Sequence, residues 1–388
     1  MSQIASHPFP EVLRAELQAF RNQGLERVLQ VQPVSSPSVS FAHNDYLGLA
    51  RDARLAEAAI EVLRSWGTGA QAARLISGHS SWHQNLEQAL ASFKHTEAAL
   101  TFPTGYAAAV GTIPSLVRNG DYVVLDKLSH ASLFDGAKLS GSHIKIFNHN
   151  DLQHADEILH WIRSHAPESA RILLVAESLY SMDGDFAPLS GLVELKNRHG
   201  AWLMIDEAHA TGVYGPQGQG LIAASHLSQE VEVQMGTLSK AVGVHGGFIA
   251  GSRALIDTLL HKARSFLFTT GTPPALAAAA QRSLEIIESP EGDSLRAKLR
   301  SNIALFTRAK PSFNEPTSPI QPVRLGNEAK TVEVSQQLQH LGFFVPPVRY
   351  PTVPLGEARL RVTLNSNHFP EAIEGLRGAL SSLETDPA

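Results

Sequence analysis

From residue 49 to residue 275, short apolar runs alternate with longer stretches whose apolar residues recur at helical spacing. The runs DYVVLD (121–126), RILLVAE (171–177), AWLMIDE (201–207), VEVQMG (231–236) and GFIAG (247–251) are bounded by turn residues. A strand that is apolar on both faces must be covered on both faces. These runs therefore predict a buried, mostly parallel central sheet with flanking crossover helices, an α/β fold. The last two runs stand too close for a long crossover, so one antiparallel pair is expected there. QNLEQALASF (84–93) sets Leu86, Leu90 and Phe93 on one face and predicts a helix against the core.

The two ends of the chain read differently. Residues 11–30 carry Val12, Leu13, Leu17 and Phe20 at helical spacing with charges between, an amphipathic helix. VQPVSSPSVS (31–40) is a Pro/Ser-rich connector. After Pro273–Pro274 a helical stretch runs to about 308 and is followed by IQPVRLG (320–326), GFFVPPVR (342–349) and RLRVTL (359–364). Strands interleaved with helices there predict a smaller α+β domain. The expected organisation is an N-terminal helix and arm over 1–48, a large α/β domain over 49–275 and a C-terminal α+β domain over 276–388.

Composition narrows the chemistry. With 43% apolar residues, 18% charged residues and a formal charge of −5, the chain lacks the basic excess of a general nucleic-acid binder. An anionic substrate would need a local basic pocket, which net charge does not reveal. There is no cysteine, which excludes disulfides, thiolate zinc sites, iron–sulfur clusters and a thiol nucleophile. MSQIASHPFPEVLRAELQ at the start has neither a basic nor an apolar segment, so a signal peptide is not expected. The most uniform apolar stretch, ALAAAA (275–280), is far short of a membrane span. A cytoplasmic protein is the expectation.

In open α/β sheets ligands sit beyond the carboxyl ends of the strands. Glu177, Asp206 and the segment from Gly236 to Lys240 all follow apolar runs, so order along the chain alone puts them on one edge. Lys240, in MGTLSKAVGVHGG (235–247), is hemmed by small residues that leave room for a flat ring. Partial burial and nearby positive charge lower a lysine's pKa and free its amine to form a Schiff base. A Ser-Lys pair in a glycine-rich turn is, taken alone, more often a surface lysine. Asp206, in WLMIDEAHATG (202–212), ends a buried strand, where a carboxylate can pair with a protonated pyridine nitrogen. His209 can reach a phenolic oxygen of such a ring or Asp206 itself. The same D-E-A-H string is the magnesium box of helicase-type NTPases, a reading that needs a G-x-x-x-x-G-K-[ST] loop upstream. The chain has none.

FPTGYAAAVGTIPSL (102–116) runs from a turn into a helix and stands Thr104, Gly105 and Tyr106 at its start. Free N–H groups and the helix dipole suit a phosphate there, although many helices begin with Thr-Gly and bind nothing. His130, in LSHASLFDGA (128–137), either stacks on a ring or caps a helix. Ser181, in SLYSMDGDFAPL (178–189), is a candidate donor to a phosphate or ring oxygen. In RLRVTL, Arg359 and Arg361 share one strand face and Leu360, Val362 and Leu364 the other. One guanidinium could clamp a carboxylate bidentately, or both could be solvated. No H-E-x-x-H occurs, and no metal site is read.

Together these motifs resemble the α-oxoamine synthases, a branch of the fold-type I pyridoxal 5'-phosphate (PLP) enzymes. The resemblance runs nearly end to end: HNDYLGLA (43–50), RLISGHSSWHQNLE (74–87), TGYAAA (104–109), LDKLSHASL (125–133), ESLYSMDGD (177–185), DEAHATG (206–212), GTLSKAVG (236–243) and YPTVPLGEARLRVTL (350–364). It implies a PLP-dependent acyltransferase of biotin synthesis. Such an enzyme condenses L-alanine with a pimeloyl thioester, on CoA or acyl-carrier-protein, with loss of carbon dioxide. Sister enzymes take glycine or serine with other acyl-CoAs, and they remain the alternative. Tyr350 stands where this branch has Pro, Ala72 and Ala73 where small Gly or Ser residues stand, and Ala109 where Asn stands.

Residue by residue, the resemblance implies that Lys240 holds PLP and later moves the substrate Cα proton. Asp206 takes the pyridine nitrogen, His209 the phenolic oxygen, and His130 stacks on the ring and faces the substrate. Gly105, Tyr106, Ser181 and Thr237 contact the cofactor. Thr270 reaches the phosphate of the neighbouring subunit, because such active sites lie at a homodimer interface. Arg27, Asn44, Thr352 and Arg361 handle substrate, Arg361 through the amino-acid carboxylate. Glu177 is a supporting acid near Asn44.

Overall fold

The computed structural model describes residues 9–23, 25–27, 29, 31, 38–308 and 317–384. Most of the expected connector at 31–40, and residues 1–8, lie outside the described residues. The first described strand is β1 (Val39–Ser40). It is followed by β2 (Ala98–Phe102), β3 (Tyr122–Asp126), β4 (His143–Phe147), β5 (Ile172–Glu177), β6 (Trp202–Asp206), β7 (Val233–Thr237) and β8 (Gly247–Gly251). Then come β9 (Ile320–Gly326), β10 (Phe343–Phe344), β11 (Pro347–Val348) and β12 (Ala358–Thr363).

Strands β2 to β8 form one seven-stranded sheet in the order β2-β8-β7-β6-β5-β3-β4. β8 runs antiparallel to both its neighbours, and every other pair is parallel. The expected strands are present, with the antiparallel pair where the close spacing of the last two runs put it. Neither β2 nor β4 was expected. Because β2, β3, β5, β6 and β7 share one direction, the residues following them converge on a single edge.

The core explains why the runs are apolar throughout. Val123 and Leu125 of β3, Leu173 and Val175 of β5 and Met204 of β6 are buried with Ala108 and Ile113 of the Gly105–Leu116 helix. Ile256 and Leu259 of the Arg253–Lys262 helix join the same cluster. Each such Val, Leu, Ile or Met side chain contributes about 1.5–3 kcal/mol by leaving water. Leu86, Leu90 and Phe93 are buried on one side of the Ser81–Phe93 helix, as their spacing predicts.

The chain forms two compact units, one of residues 44–319 and 364–368, the other of 1–43, 320–363 and 369–388. These boundaries differ from those expected at 48 and 275. Pro274 begins a helix, Pro274–Glu288, whose Ala275 and Ala278 pack on Val62 of the Ala53–Trp66 helix, so the segment after 275 stays with the large unit. Conversely, β1 pairs in parallel with β10 and joins the chain's beginning to its C-terminal strands. The smaller unit also holds the antiparallel sheet β11-β12-β9. The N-terminal helix spans Phe9–Asn22, shorter than the expected 11–30, and its described residues are all exposed. Among the described residues, no helix is long and apolar enough to cross a membrane.

One ion network ties the loop after β5 to the end of β3. His149 meets Asp126 through Nδ1 at 2.9 Å and Asp185 through Nε2 at 2.6 Å. Desolvation pulls the imidazole's pKa down, but the two carboxylates outweigh it and raise it to about 10. A pKa raised on folding adds stability that is full below the unfolded value of 6.5 and is lost as pH rises through about 10. The melting-temperature gap between wild type and His149→Gln is therefore expected to shrink between neutral and strongly alkaline pH. Thermal melts across that range check it, and a constant gap would show that the network is not stabilising.

Candidate active site

Beyond the carboxyl ends of the parallel strands lies a cavity of about 220 Å³. Thr104, Gly105, Tyr106, His130, Glu177, Asp206, His209, Thr237 and Lys240 line it, together with Ser132, Ala208, Met235 and Ser239. The large unit thus brings together all the expected catalytic residues and most of the expected cofactor residues.

The Gly105–Leu116 helix opens onto this cavity. Thr104 caps it, its hydroxyl accepting the Ala107 N–H at 3.0 Å. The N–H groups of Gly105 and Tyr106, in the first turn, have no partner within the helix. A Cβ on Gly247 would stand 2.5 Å from the Gly105 nitrogen, so only glycine lets β8 run this close to the helix start. Across the cavity, the Thr237 hydroxyl donates to the Gly246 carbonyl at 2.8 Å and accepts the Ser239 N–H at 3.2 Å. That turn orders the segment carrying Lys240. Gly243, just after it, has φ +73°, and a Cβ there would stand 2.5 Å from the Ala50 nitrogen.

Asp206 and Glu177 are register partners on β6 and β5, and both are buried. Desolvation raises the pKa of Asp206, opposed by the charge of Lys240 and by the Ala208 N–H, which it accepts at 2.8 Å. Desolvation and the facing Asp206 charge push Glu177 up as well. Glu177 accepts the backbone N–H of His130 at 2.5 Å and so holds that residue at the cavity wall. His130 caps the Ala131–Ser140 helix, its Nδ1 accepting the Ser132 N–H at 3.2 Å. Of the two roles that the sequence offered, stacking on a ring or capping a helix, the structure shows the cap, and the residue also lines the cavity. Although His130 is open to solvent on one side, desolvation lowers its pKa against the pull of Asp206. The neutral imidazole then carries its proton on Nε2. His209 Nε2 lies 2.8 Å from Lys240 Nζ.

Other expected residues lie elsewhere. Ser181 sits in the turn past the end of β5 and is not among the residues that line the cavity. Thr270 is exposed beside Ala73, also outside the cavity lining of its own chain. Asn44 is half-buried, with Oδ1 accepting the Tyr46 hydroxyl at 3.3 Å. Arg27, Thr352 and Arg361 belong to the smaller unit. Arg359 and Arg361 are both buried rather than solvated, and Arg361 donates to the Thr363 hydroxyl at 2.9 Å. Ser132, Ser239 and Tyr46 were not singled out by sequence reasoning. Their signal was membership of the quoted motifs, or one or two residues' distance from a candidate.

The NTPase reading of D-E-A-H fails on Glu207. That carboxylate is fully buried, ion-paired with Lys94, and accepts the Ile222 N–H at 2.9 Å. It is a structural anchor. A larger cavity of about 450 Å³ opens at the other end of the sheet, beside Trp202, Val233 and Gly251. Its acids are also engaged: Glu232 with Lys196 at 2.7 Å and Glu97 with the Arg253 N–H at 2.8 Å.

A family model described as aminotransferase class I and II matches residues 36–380. An 8-amino-7-oxononanoate synthase of Chromohalobacter salexigens is 42% identical over 358 residues, 91% of each chain. The serine palmitoyltransferase of S. paucimobilis, solved with bound PLP and myriocin, has a TM-score of 0.88 at 29% identity, covering 98% of this chain and 100% of that one. The 8-amino-7-oxononanoate synthase of Francisella tularensis has a TM-score of 0.75 at 26% identity, covering 89% and 97%. The chain therefore belongs to the aminotransferase class I and II family.

Proposed function

We propose that this chain is a PLP-dependent acyltransferase that condenses L-alanine with a pimeloyl thioester, giving 8-amino-7-oxononanoate, carbon dioxide and free thiol in biotin synthesis. The observation that carries the reading is one cavity lined by the Lys240 amine, the buried Asp206 carboxylate and the start of the Gly105–Leu116 helix. The choice of alanine and pimeloyl rests on the 42% identity to an 8-amino-7-oxononanoate synthase.

The residues fit PLP. A buried carboxylate whose pKa is raised by desolvation favours a cationic neighbour, which a protonated pyridine nitrogen supplies. The first-turn N–H groups of Gly105 and Tyr106, with the hydroxyl of Ser239, suit a phosphate. Lys240 supplies the amine for the aldehyde. When bound, PLP provides an electron sink for the carbanion that forms at the amino-acid Cα.

The chain's own residues do the rest. Lys240 Nζ takes the Cα proton and later returns one. Asp206 holds the ring nitrogen in its protonated form. His209 would hold the phenolic oxygen, and His130 would lie against the ring. His130 Nε2–H donates to the thioester carbonyl oxygen as negative charge grows there, a contribution that often dominates catalysis. Glu177 keeps His130 at that position through its backbone N–H. Arg361 takes the alanine carboxylate, while Arg27, Asn44 and Thr352 bind the remaining substrate. Ser181 completes the cofactor contacts, and Thr270 serves the phosphate of the partner subunit in a homodimer. The protein is assigned to the cytoplasm.

Thiol release tests the substrate choice. Alanine with pimeloyl-CoA is expected to turn over with a kcat/KM at least about 100-fold above glycine with succinyl-CoA or serine with palmitoyl-CoA. Turnover with either rival pair and none with pimeloyl-CoA would reject it.

A further inference from the structure

Glu177 and Asp206 are register partners on neighbouring parallel strands, so their side chains leave the same face of the sheet. Both are buried and both line the cavity. Two carboxylates in one dry site stay ionised together only when cations match them. Among the described residues that line the cavity, Lys240 is the lone lysine or arginine. His130 lines the same wall, where desolvation favours its neutral form, and His209 faces Lys240 at 2.8 Å. The charges just outside are engaged. Glu207, next to Asp206, pairs with Lys94, and Asp126, at the end of β3, meets His149 at 2.9 Å. Burial keeps the Tyr180 hydroxyl protonated. One lysine therefore stands against two acids.

The two acids are held differently. Asp206 accepts the Ala208 N–H at 2.8 Å, and against desolvation Lys240 and His130 favour its charge. Glu177 accepts the His130 backbone N–H through Oε1. A protonated carboxyl keeps its carbonyl oxygen as an acceptor, so Oε1 can make that bond with the proton on Oε2. Desolvation and the Asp206 charge push Glu177 up to about 8, with Asp126 adding to them and Lys240 opposing. We propose that Glu177 and Asp206 form a dyad holding one proton and one negative charge, with Glu177 the neutral acid and Asp206 the carboxylate. Glu177 then adds no second charge to repel the first, and Asp206 stays ionised for a cationic ring nitrogen. The dyad belongs to the PLP-free chain, and its use for the ring rests on the proposed function of the same site.

Infrared spectroscopy of the full-length PLP-free protein, with carboxyl-labelled glutamate, reads the acid directly. At neutral pH wild type is expected to show a carboxylic-acid band that Glu177→Gln lacks, and the band is expected to vanish with a midpoint at about 8. A Glu177 that served only as acceptor for the His130 N–H would be ionised at neutral pH and show no such band. Asp206→Asn removes the facing charge, so the midpoint is expected to fall by about one unit or more. With labelled aspartate, wild type is expected to show no neutral-pH acid band that Asp206→Asn removes. Matching acid regions in wild type and Glu177→Gln at neutral pH would overturn the proposal. So would a midpoint that Asp206→Asn leaves in place, or an acid band that belongs to Asp206. Should Glu177→Gln not fold, the midpoint in Asp206→Asn decides alone. A wild type that binds no PLP would reject the functional reading, whereas the band would still decide the dyad.

Discussion

The Lys240→Ala variant is expected to fold, to hold PLP only through non-covalent contacts, and to lose turnover by on the order of 10⁴-fold or more. Folding is expected to survive because Lys240 is half-buried on a turn that is ordered by Thr237, Ser239 and Gly246 rather than by the lysine side chain. The rate loss is large because a single nitrogen serves two roles, covalent attachment and proton transfer at Cα. Alanine offers neither. The visible absorbance of the PLP-loaded protein and the thiol-release rate check the two roles separately. An unaltered spectrum or near-normal turnover would remove Lys240 from the centre of the chemistry.

Asp206→Asn separates catalysis from stability. The amide is nearly isosteric with the carboxylate but carries no charge, so it cannot keep a ring nitrogen protonated. A fall in kcat of about 100- to 1,000-fold is expected, the scale of losing one aimed electrostatic contact in a dry site. Stability should move the other way. Desolvation raises the pKa of Asp206, which means that its ionised form costs folding free energy in the PLP-free protein. The PLP-free variant is therefore expected to melt no lower than wild type near neutral pH, while its activity collapses. A thermal melt paired with a rate measurement checks both halves. Near-normal kcat would refute the electrostatic role, and a large loss of stability would point to a structural one.

Much of this arrangement was legible in the sequence because it follows from burial and chain order. β3, β5, β6, β7 and β8 are buried on both faces, and continuous apolar runs record that directly. β4 escaped because it is an edge strand in which His143 and Ile146 are exposed, so HIKIF mixes polar and apolar residues without a clean period. β2 escaped because AALTF follows the Ser81–Phe93 helix after only a short turn and is rich in alanine, which favours no strand. Pro273–Pro274 looked like a boundary. In the fold, Pro274 occupies the first turn of a helix, where its missing N–H costs nothing, and the helix packs onto the large unit.

The candidate site divides in the same way. Glu177, Asp206 and Lys240 were readable because each follows a strand whose direction the pattern fixes. The contact of Tyr46 with His209 was not, because the two lie 163 residues apart and nothing local distinguishes Tyr46 from any other core tyrosine. The burial of Arg359 and Arg361 was also unreadable. Alternation assigns them a face but does not say whether that face meets water.

Reduction of the PLP-loaded protein with borohydride, followed by peptide mass mapping, bears most directly on the covalent link that the whole mechanism requires. The cofactor-derived mass is predicted on the peptide containing Lys240 and on no other lysine. Finding it on a different lysine, or recovering every peptide unmodified, would contradict the account.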